Sequence, residues 1–441
     1  MINEKWPWRK LRKALAGVIM AETHKLLIYN ARQLLTCAAK NQAKRGAELA
    51  DLGIIEDGAV YIEGGIIRRI GSTSELMRFV QDLGVKEVDA GGRVVMPGLI
   101  DSHTHIVHAG QRLDEFEMRI AGAEYMDILQ AGGGILASRR ALQDATLEAV
   151  IEQGRRNIEK AISFGVTTIE AKSGYGLDTQ NEIKQLRAIK ALNEQMPIEI
   201  VPTFLGAHAV PPEYDGYKEK YVDLIINEMI PEVARLGLAE FIDVFVEKGV
   251  FSVEDGRRII AAGRDAGMRA KIHADEMSPL GGAQLAVEMD AASADHLLAA
   301  SDAGIKALGE SDTVACLLPG TSFFLKKNYA YARDMIDAGC IVALATDNNP
   351  GSSRTENIQL IMTIACLYLG LSPAEAINAC TINAAAALRR ADRLGSLEEG
   401  KQGDVVIMDV KDYREIAYHY GVNHTWKVFK GGREIYNSPS F

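Results

Sequence analysis

Between residues 94 and 347 the chain repeats one pattern eight times, a short apolar run followed by a longer amphipathic segment. The runs are "VVMPGLIDSH", "GVTTIEAK", "IEIVPTFLGAH", "FIDVFVEK", "MRAKIHAD", "AASADH", "TVACLLPG" and "CIVALATD". Segments such as "DATLEAVIEQGRRNIEKAISF" and "NEIKQLRAIKALNEQ" lie between them, with apolar positions at helical spacing. Eight strand–helix repeats over roughly 250 residues predict an α/β fold, a closed (β/α)8 barrel of the TIM type. In such barrels the C-terminal strand ends build the active face. Here several runs close on a residue that can bind a ligand: His103, Lys172, His208, Glu247, His273, His296 and Asp347. Four of the chain's nine histidines stand at those ends, which a random scatter would not produce.

The flanks have a different texture. Residues 25–98 and 393–441 carry short apolar stretches punctuated by Gly turns, such as "GAVYIEGGIIRRIGS" and "TWKVFKGGREIYN". Each flank is too small for a core of its own. We therefore expect the two to join as a small β-sandwich domain, with residues 99–392 forming the barrel between them. Residues 1–24 are basic, and their apolar part, Ala14–Ala21, is short and broken by Gly17. They read as a basic extension rather than a signal peptide.

Composition removes several function classes. A net charge of −10 with no basic stripe argues against a nucleic-acid partner. No apolar run reaches the ~18–20 residues of a membrane span. The five cysteines (Cys37, Cys316, Cys340, Cys366 and Cys380) are odd in number and scattered, as expected of reduced thiols in a cytoplasmic protein.

The strand ends suggest a metal. In an extended segment residues two apart face the same side, so His103 and His105 in "DSHTHIVH" point one way. His108 breaks that alternation and is expected in the following loop. His273 ends the fifth run, His296 the sixth and Asp347 the eighth. Imidazole nitrogen and carboxylate oxygen suit Zn2+ or Fe2+, and a catalytic site keeps a position open for water. His103, His105, His273 and Asp347 would hold one divalent metal per chain. Glu276, three residues past His273, and Asp347 itself are both candidates for the general base. His296 is spaced to hydrogen-bond a water or a developing oxyanion.

Longer stretches carry a resemblance. "PGLIDSHTH", "HADE", "ADH" and "TDNNPG" resemble the metal-dependent amidohydrolase superfamily. "HAGQRLDEFEMRIAGAEYMDILQAGGGI", "EAKSGYGLD", "TFLGAHAVPPEY" and "ATDNNPGSS" are most similar to its histidine-degrading branch, over most of residues 25–438. That branch more often has Ser where Thr346 stands. The resemblance implies a mononuclear site, with neither Glu247 nor Lys248 as a metal bridge. It implies hydrolysis of 4-imidazolone-5-propanoate to N-formimidoyl-L-glutamate by water opening the cyclic amide. It also implies that Arg112 holds the substrate's carboxylate, and that Tyr175, His208, Glu276, Asn349, Gly351 and Ser352 line the substrate site. Tyr125 is a further candidate. "AGGGI" at residues 131–135 lacks a Walker lysine and reads as a loop over the active site, not a phosphate cradle.

Two other readings stay open on the residues alone. One is another cyclic amidohydrolase, or a deaminase of heterocycles, using the same barrel and metal. The other is a barrel that binds a small molecule without turning it over, which would predict a missing ligand or base. The expected partners are a small-molecule substrate and a second copy of the chain, since homodimers are common among such enzymes.

Overall fold

The computed structural model describes residues 24–123, 127–128 and 131–439. Tyr125 and nearly all of the basic N-terminal extension lie outside the described residues. Sixteen strands are present in that part of the chain, in two sheets of eight.

The first sheet joins both flanks. Its strands are β1 (Lys25–Leu35), β2 (Ile54–Glu63), β3 (Ile66–Ser72), β4 (Lys86–Asp89) and β5 (Val94–Pro97) from one end. β14 (Val405–Met408), β15 (Thr425–Lys430) and β16 (Arg433–Asn437) come from the other. The order is β16-β15-β14-β5-β1-β2-β3, and β4 lies beside β1. The contact between flanks is the antiparallel pairing of β14 with β5, Val405 opposite Pro97 and Met408 opposite Val94. All eight strands are thus hydrogen-bonded in one mixed sheet, where the sequence suggested a sandwich. Its buried face gathers Leu26, Ile28, Val60, Ile67, Val95, Val405, Ile407 and Phe429 into one apolar cluster. Neither flank supplies that cluster alone, which is the physical reason for their joining.

The second sheet is the barrel. Its strands are β6 (Leu99–Asp101), β7 (Val166–Lys172), β8 (Glu199–Ala207), β9 (Phe241–Val246), β10 (Arg269–Ala274), β11 (Ser293–His296), β12 (Val314–Leu317) and β13 (Ile341–Leu344). Each pairs in parallel with the next. All eight apolar runs are strands, in the predicted order. The first run serves both sheets, since Val94–Pro97 belongs to the flank sheet and Leu99–Asp101 to the barrel. Gly98 at the change-over packs so tightly on Thr167 that an added Cβ would collide with that side chain. Helices Leu147–Ser163 and Thr179–Gln195 match the amphipathic segments. Thr146 and Asp178 cap them by accepting from the backbone N–H groups of Ala149 and Asn181.

Beyond β6 and β13 the barrel is closed by the backbone of functional candidates. Asp347 N–H donates to the His103 carbonyl at 3.0 Å, and His105 N–H to the Asn348 carbonyl at 2.9 Å. Side-chain placement at the mouth is therefore coupled to closure of the fold. At the opposite end, Glu199 at the start of β8 accepts from Arg390 (2.9 Å) and Arg393, with Lys430 of β15 at 4.0 Å. This network ties barrel to flank sheet and holds the Glu199 carboxyl down at about 2, its cationic neighbours outweighing the rise that burial would bring.

Candidate metal centre and substrate pocket

Four imidazoles and a carboxylate converge at the C-terminal mouth of the barrel. The ligand atoms of His103, His105 and His273 lie within 4.8 Å of one another, as do those of His103, His296 and Asp347. All five residues are buried. His103 Nε2 is 3.5 Å from Asp347 Oδ1, and His105 Nε2 is 3.6 Å from the same oxygen. His273 Nε2 faces His105 Nε2 at 3.4 Å. His296 and Asp347 hold these positions with left-handed backbones, φ 80° and 51°. A non-glycine residue pays for that conformation, and such strain gathers at functional sites.

Deeper groups fix the tautomers. His103 Nδ1 lies 2.6 Å from Asp295 Oδ2, and His273 Nδ1 lies 2.9 Å from Asp243 Oδ2. His103 Nδ1 therefore carries its proton toward Asp295, leaving Nε2 as a lone pair aimed into the mouth, while Asp243 also accepts from the His273 backbone N–H at 3.1 Å. His103 Nε2 is buried without a hydrogen-bond partner. A buried lone pair with no donor is costly unless something shares it, and a cation does. Thr321 Oγ1 donates to Asp347 Oδ2 at 2.6 Å, which turns Oδ1 toward the histidines. Imidazole nitrogens and a carboxylate oxygen gathered this closely suit a divalent ion. Burial lowers the pKa of His103, His105 and His296, so they stay neutral, as ligation needs.

Beneath the mouth lies a charged layer instead of the usual apolar one. Lys172 Nζ donates to Glu170 Oε1 and to Asp243 Oδ2, both at 2.7 Å, and is 3.9 Å from Asp295. Lys271 Nζ donates to the Ser102 carbonyl at 2.9 Å and lies 3.7 Å from Asp295. Burial pulls the Lys172 pKa down, but its three carboxylate neighbours outweigh this and raise it. The layer braces the two aspartates that hold His103 and His273. Sequence reasoning passed over Asp243, Asp295, Glu170, Lys271 and Thr321. The signal was a charge inside an apolar run two residues before a strand-end group, as in Glu170/Lys172 and Lys271/His273. That spacing sets the earlier residue on the same side, one layer deeper.

The remaining candidates surround this centre. His208 stacks on His105, ring centroids 4.9 Å apart and planes at 16°. Its Nδ1 donates to the Gly174 carbonyl at 2.9 Å, so Nε2 is an acceptor. Burial lowers its pKa to about 3 and keeps it neutral. The Tyr175 ring is 5.8 Å from His105 and 5.5 Å from His208, and burial raises the pKa of its hydroxyl, which therefore stays a donor. Glu276 Oε2 lies 3.7 Å from His296 Nε2. Burial, then the charge of Asp347, raises its carboxyl to about 7. Its loop is fixed by Glu247, whose Oε2 accepts from the N–H groups of Met277 (2.9 Å) and Ser278 (3.2 Å). Lys248 is exposed. His108 lies outside the cluster, buried beside Asn157 at 3.4 Å.

Two details refine the expected tail pocket. Asn349 Oδ1 accepts from the N–H groups of Gly351 (2.8 Å) and Ser352 (2.7 Å), so these three residues form one self-bonded loop. Arg112 is already paired, with Nε and Nη2 donating to the two oxygens of Glu115 at 2.7 and 2.6 Å. Its guanidinium lies against Gly351, where an added Cβ would collide with it.

The profile of the amidohydrolase family matches residues 94–437, and the chain belongs to that family. The E. coli guanine deaminase structure superposes with a TM-score of 0.71 at 15% identity, over 95% of this chain and all of that one. A zinc-bound adenosine deaminase from Xanthomonas campestris gives 0.67 at 16%, over 94% of this chain and 93% of that one. At such identity these show the fold alone. Sequence relatives are nearer. The imidazolonepropionase of Geobacillus kaustophilus is 53% identical over 93% of this chain and 98% of its own length. That of Parabacteroides distasonis is 46% identical over 94% and 99%. Identity of about one half along nearly the whole of each protein sets the chain in the imidazolonepropionase branch of the family.

Proposed function

We propose that the chain hydrolyses 4-imidazolone-5-propanoate to N-formimidoyl-L-glutamate, a step of histidine degradation. The observation that carries this reading is near-half identity to imidazolonepropionases over almost the full length, in a chain whose ligand-type side chains meet at one barrel mouth. His103, His105, His273 and Asp347 Oδ1 would hold one Zn2+ or Fe2+ per chain. Such an ion, when bound, acts as a Lewis acid that polarises oxygen and eases removal of a proton from water.

The chain's own groups account for the rest. Asp295 holds the Nδ1 proton of His103 and so leaves its Nε2 free to ligate. Water oxygen attacks the ring carbonyl carbon while Glu276 takes its proton. Glu276 is a better base than Asp347, whose Oδ2 is held by Thr321. Once protonated it can return the proton to the departing ring nitrogen, and its burial disfavours the ionised form it would otherwise keep. The carbonyl C–N bond then breaks, leaving a carboxylate on carbon and the formimidoyl group on the other nitrogen. His296 donates to the oxyanion that develops at the carbonyl. His208 Nε2 accepts from a ring N–H, and the Tyr175 hydroxyl donates. Arg112 binds the propanoate through its outer Nη1–Nη2 edge, beside Asn349, Gly351 and Ser352.

Residues 99–392 act as the catalytic unit, supported by 25–98 with 393–441. The five cysteines are free thiols, four of them buried, which suits the reducing cytoplasm. No helix among the described residues is long and apolar enough to cross a membrane. A homodimer is the proposed assembly. The functional reading is tested by turnover. Metal-loaded protein should consume the substrate's ring absorbance and yield N-formimidoyl-L-glutamate. Release of ammonia with the ring intact would instead favour the deaminase reading.

A further inference from the structure

Glu115 lies at the meeting point of three loops near the barrel mouth. Its side chain is only 7% exposed. It takes both a guanidinium edge of Arg112 and, at Oε1, the Gly134 N–H at 3.0 Å. Arg119 Nη2 is 3.7 Å away, and Arg119 Nη1 donates to the Gly351 carbonyl. Glu115 therefore links the segment after β6, the glycine turn at 132–134 and, through Arg119, the loop after β13. Gly133 packs on it so closely that an added Cβ would stand 3.0 Å from its carboxyl carbon.

A guanidinium has five N–H groups. Glu115 takes the Nε–H and one Nη2–H of Arg112. What remains is the Nη1–Nη2 end, lying against Gly351. We infer that Glu115 is a positioning residue for substrate recognition. It turns the free end of Arg112 toward the propanoate and so sets the enzyme's preference for an anionic tail. This rests on the proposed activity.

Charge and orientation predict opposite results here, which makes the inference testable. If Glu115 merely tempered positive charge, neutralising it would leave Arg112 and Arg119 uncompensated and tighten anion binding. If it orients Arg112, the same change frees the guanidinium and weakens binding. Asp at this position keeps the charge but is one methylene too short to reach Nε and Nη2, so it separates the two effects again.

The experiment uses metal-loaded wild type, Glu115→Gln and Glu115→Asp, with melting curves to verify folding. Titration calorimetry compares imidazole-4-propanoate with its neutral propanamide, and steady-state kinetics gives KM and kcat. Wild type should prefer the acid. Both variants should lose about tenfold of that preference, corresponding to ~1.4 kcal/mol. KM should rise by a similar factor while kcat changes little, because the tail is held in ground and transition state alike. A wild-type-like preference in folded Glu115→Asp, or tighter acid binding by Glu115→Gln, would overturn the orienting role and leave the functional reading standing. Absence of any acid preference in wild type would overturn that reading and this inference with it.

Discussion

Replacing Glu276 by Gln should lower activity and raise stability at once. The carboxyl stands at about 7, against 4.5 when free in water, because burial and the Asp347 charge disfavour its ionised form. An acid whose pKa is raised on folding costs stability once pH exceeds the unfolded value, and the cost is complete above the folded value. A rise of this size corresponds to roughly 3 kcal/mol at pH 8. The side chain is 18% exposed, so we expect relief of about 1–3 kcal/mol from the neutral, nearly isosteric amide. In a chain of 441 residues that is a rise in Tm of about 1–3 °C, measured on metal-free protein so that ion binding does not contribute. The loop should not move, since Glu247 and Asp275 hold the backbone on either side of Glu276. Metal content should therefore match wild type. Loss of a general base costs ~10²–10⁴ in rate, so kcat should fall by that factor. The acid limb of kcat/KM should vanish with it. In wild type that limb reports a carboxylate that must be ionised to accept a proton, and a bound cation moves it below 7. Wild-type kcat in a metal-replete Glu276→Gln would refute the base assignment. A drop in Tm would refute the claim that the buried Glu276 carboxylate costs stability.

Three further outcomes follow from the same geometry. Asp295→Asn should weaken metal affinity about 10–100-fold, since Asp295 fixes the His103 tautomer and balances Lys172 and Lys271; competition with a chelator reads this directly. Arg112→Met should raise KM about 10–100-fold with a smaller change in kcat, and Arg112→Lys should recover only part of the loss; steady-state kinetics with the acid and amide substrates decides it. Glu199, lowered from 4.5 to about 2 by its guanidinium and ammonium partners, contributes roughly 3 kcal/mol that is complete above pH 4.5 and lost as pH falls toward 2. Glu199→Gln should flatten that part of the acid-denaturation profile.

Much of the barrel was legible because its evidence is periodic. Eight apolar runs are eight strands, and the histidines and Asp347 that end them lie at one mouth, whereas Lys172 turns into the charged layer below. Convergence of His103, His105, His273 and Asp347 followed from that arithmetic alone. The flank sheet was half legible: its strands were visible, but whether they made one sheet or two depended on the pairing of Val405–Met408 with Val94–Pro97, and no local signal encodes a partner some three hundred residues away. The charged layer was hidden for another reason. Asp243 and Lys271 look like isolated polar residues in apolar strands, and only the barrel's curvature brings them into contact with Lys172 and Asp295. In the sequence Glu115 is one of several charged residues in "RLDEFEMR", and pairing geometry alone reveals that it occupies an edge of Arg112.

The central claim is that water opens the cyclic amide at its carbonyl carbon. The direct measurement is turnover of 4-imidazolone-5-propanoate in oxygen-18 water, with the product examined by mass spectrometry and carbon-13 NMR. Hydrolysis as described predicts N-formimidoyl-L-glutamate carrying a single oxygen-18 in its α-carboxylate, and no ammonia. Release of ammonia, a label at the formimidoyl carbon, or no turnover by fully metal-loaded protein would contradict it.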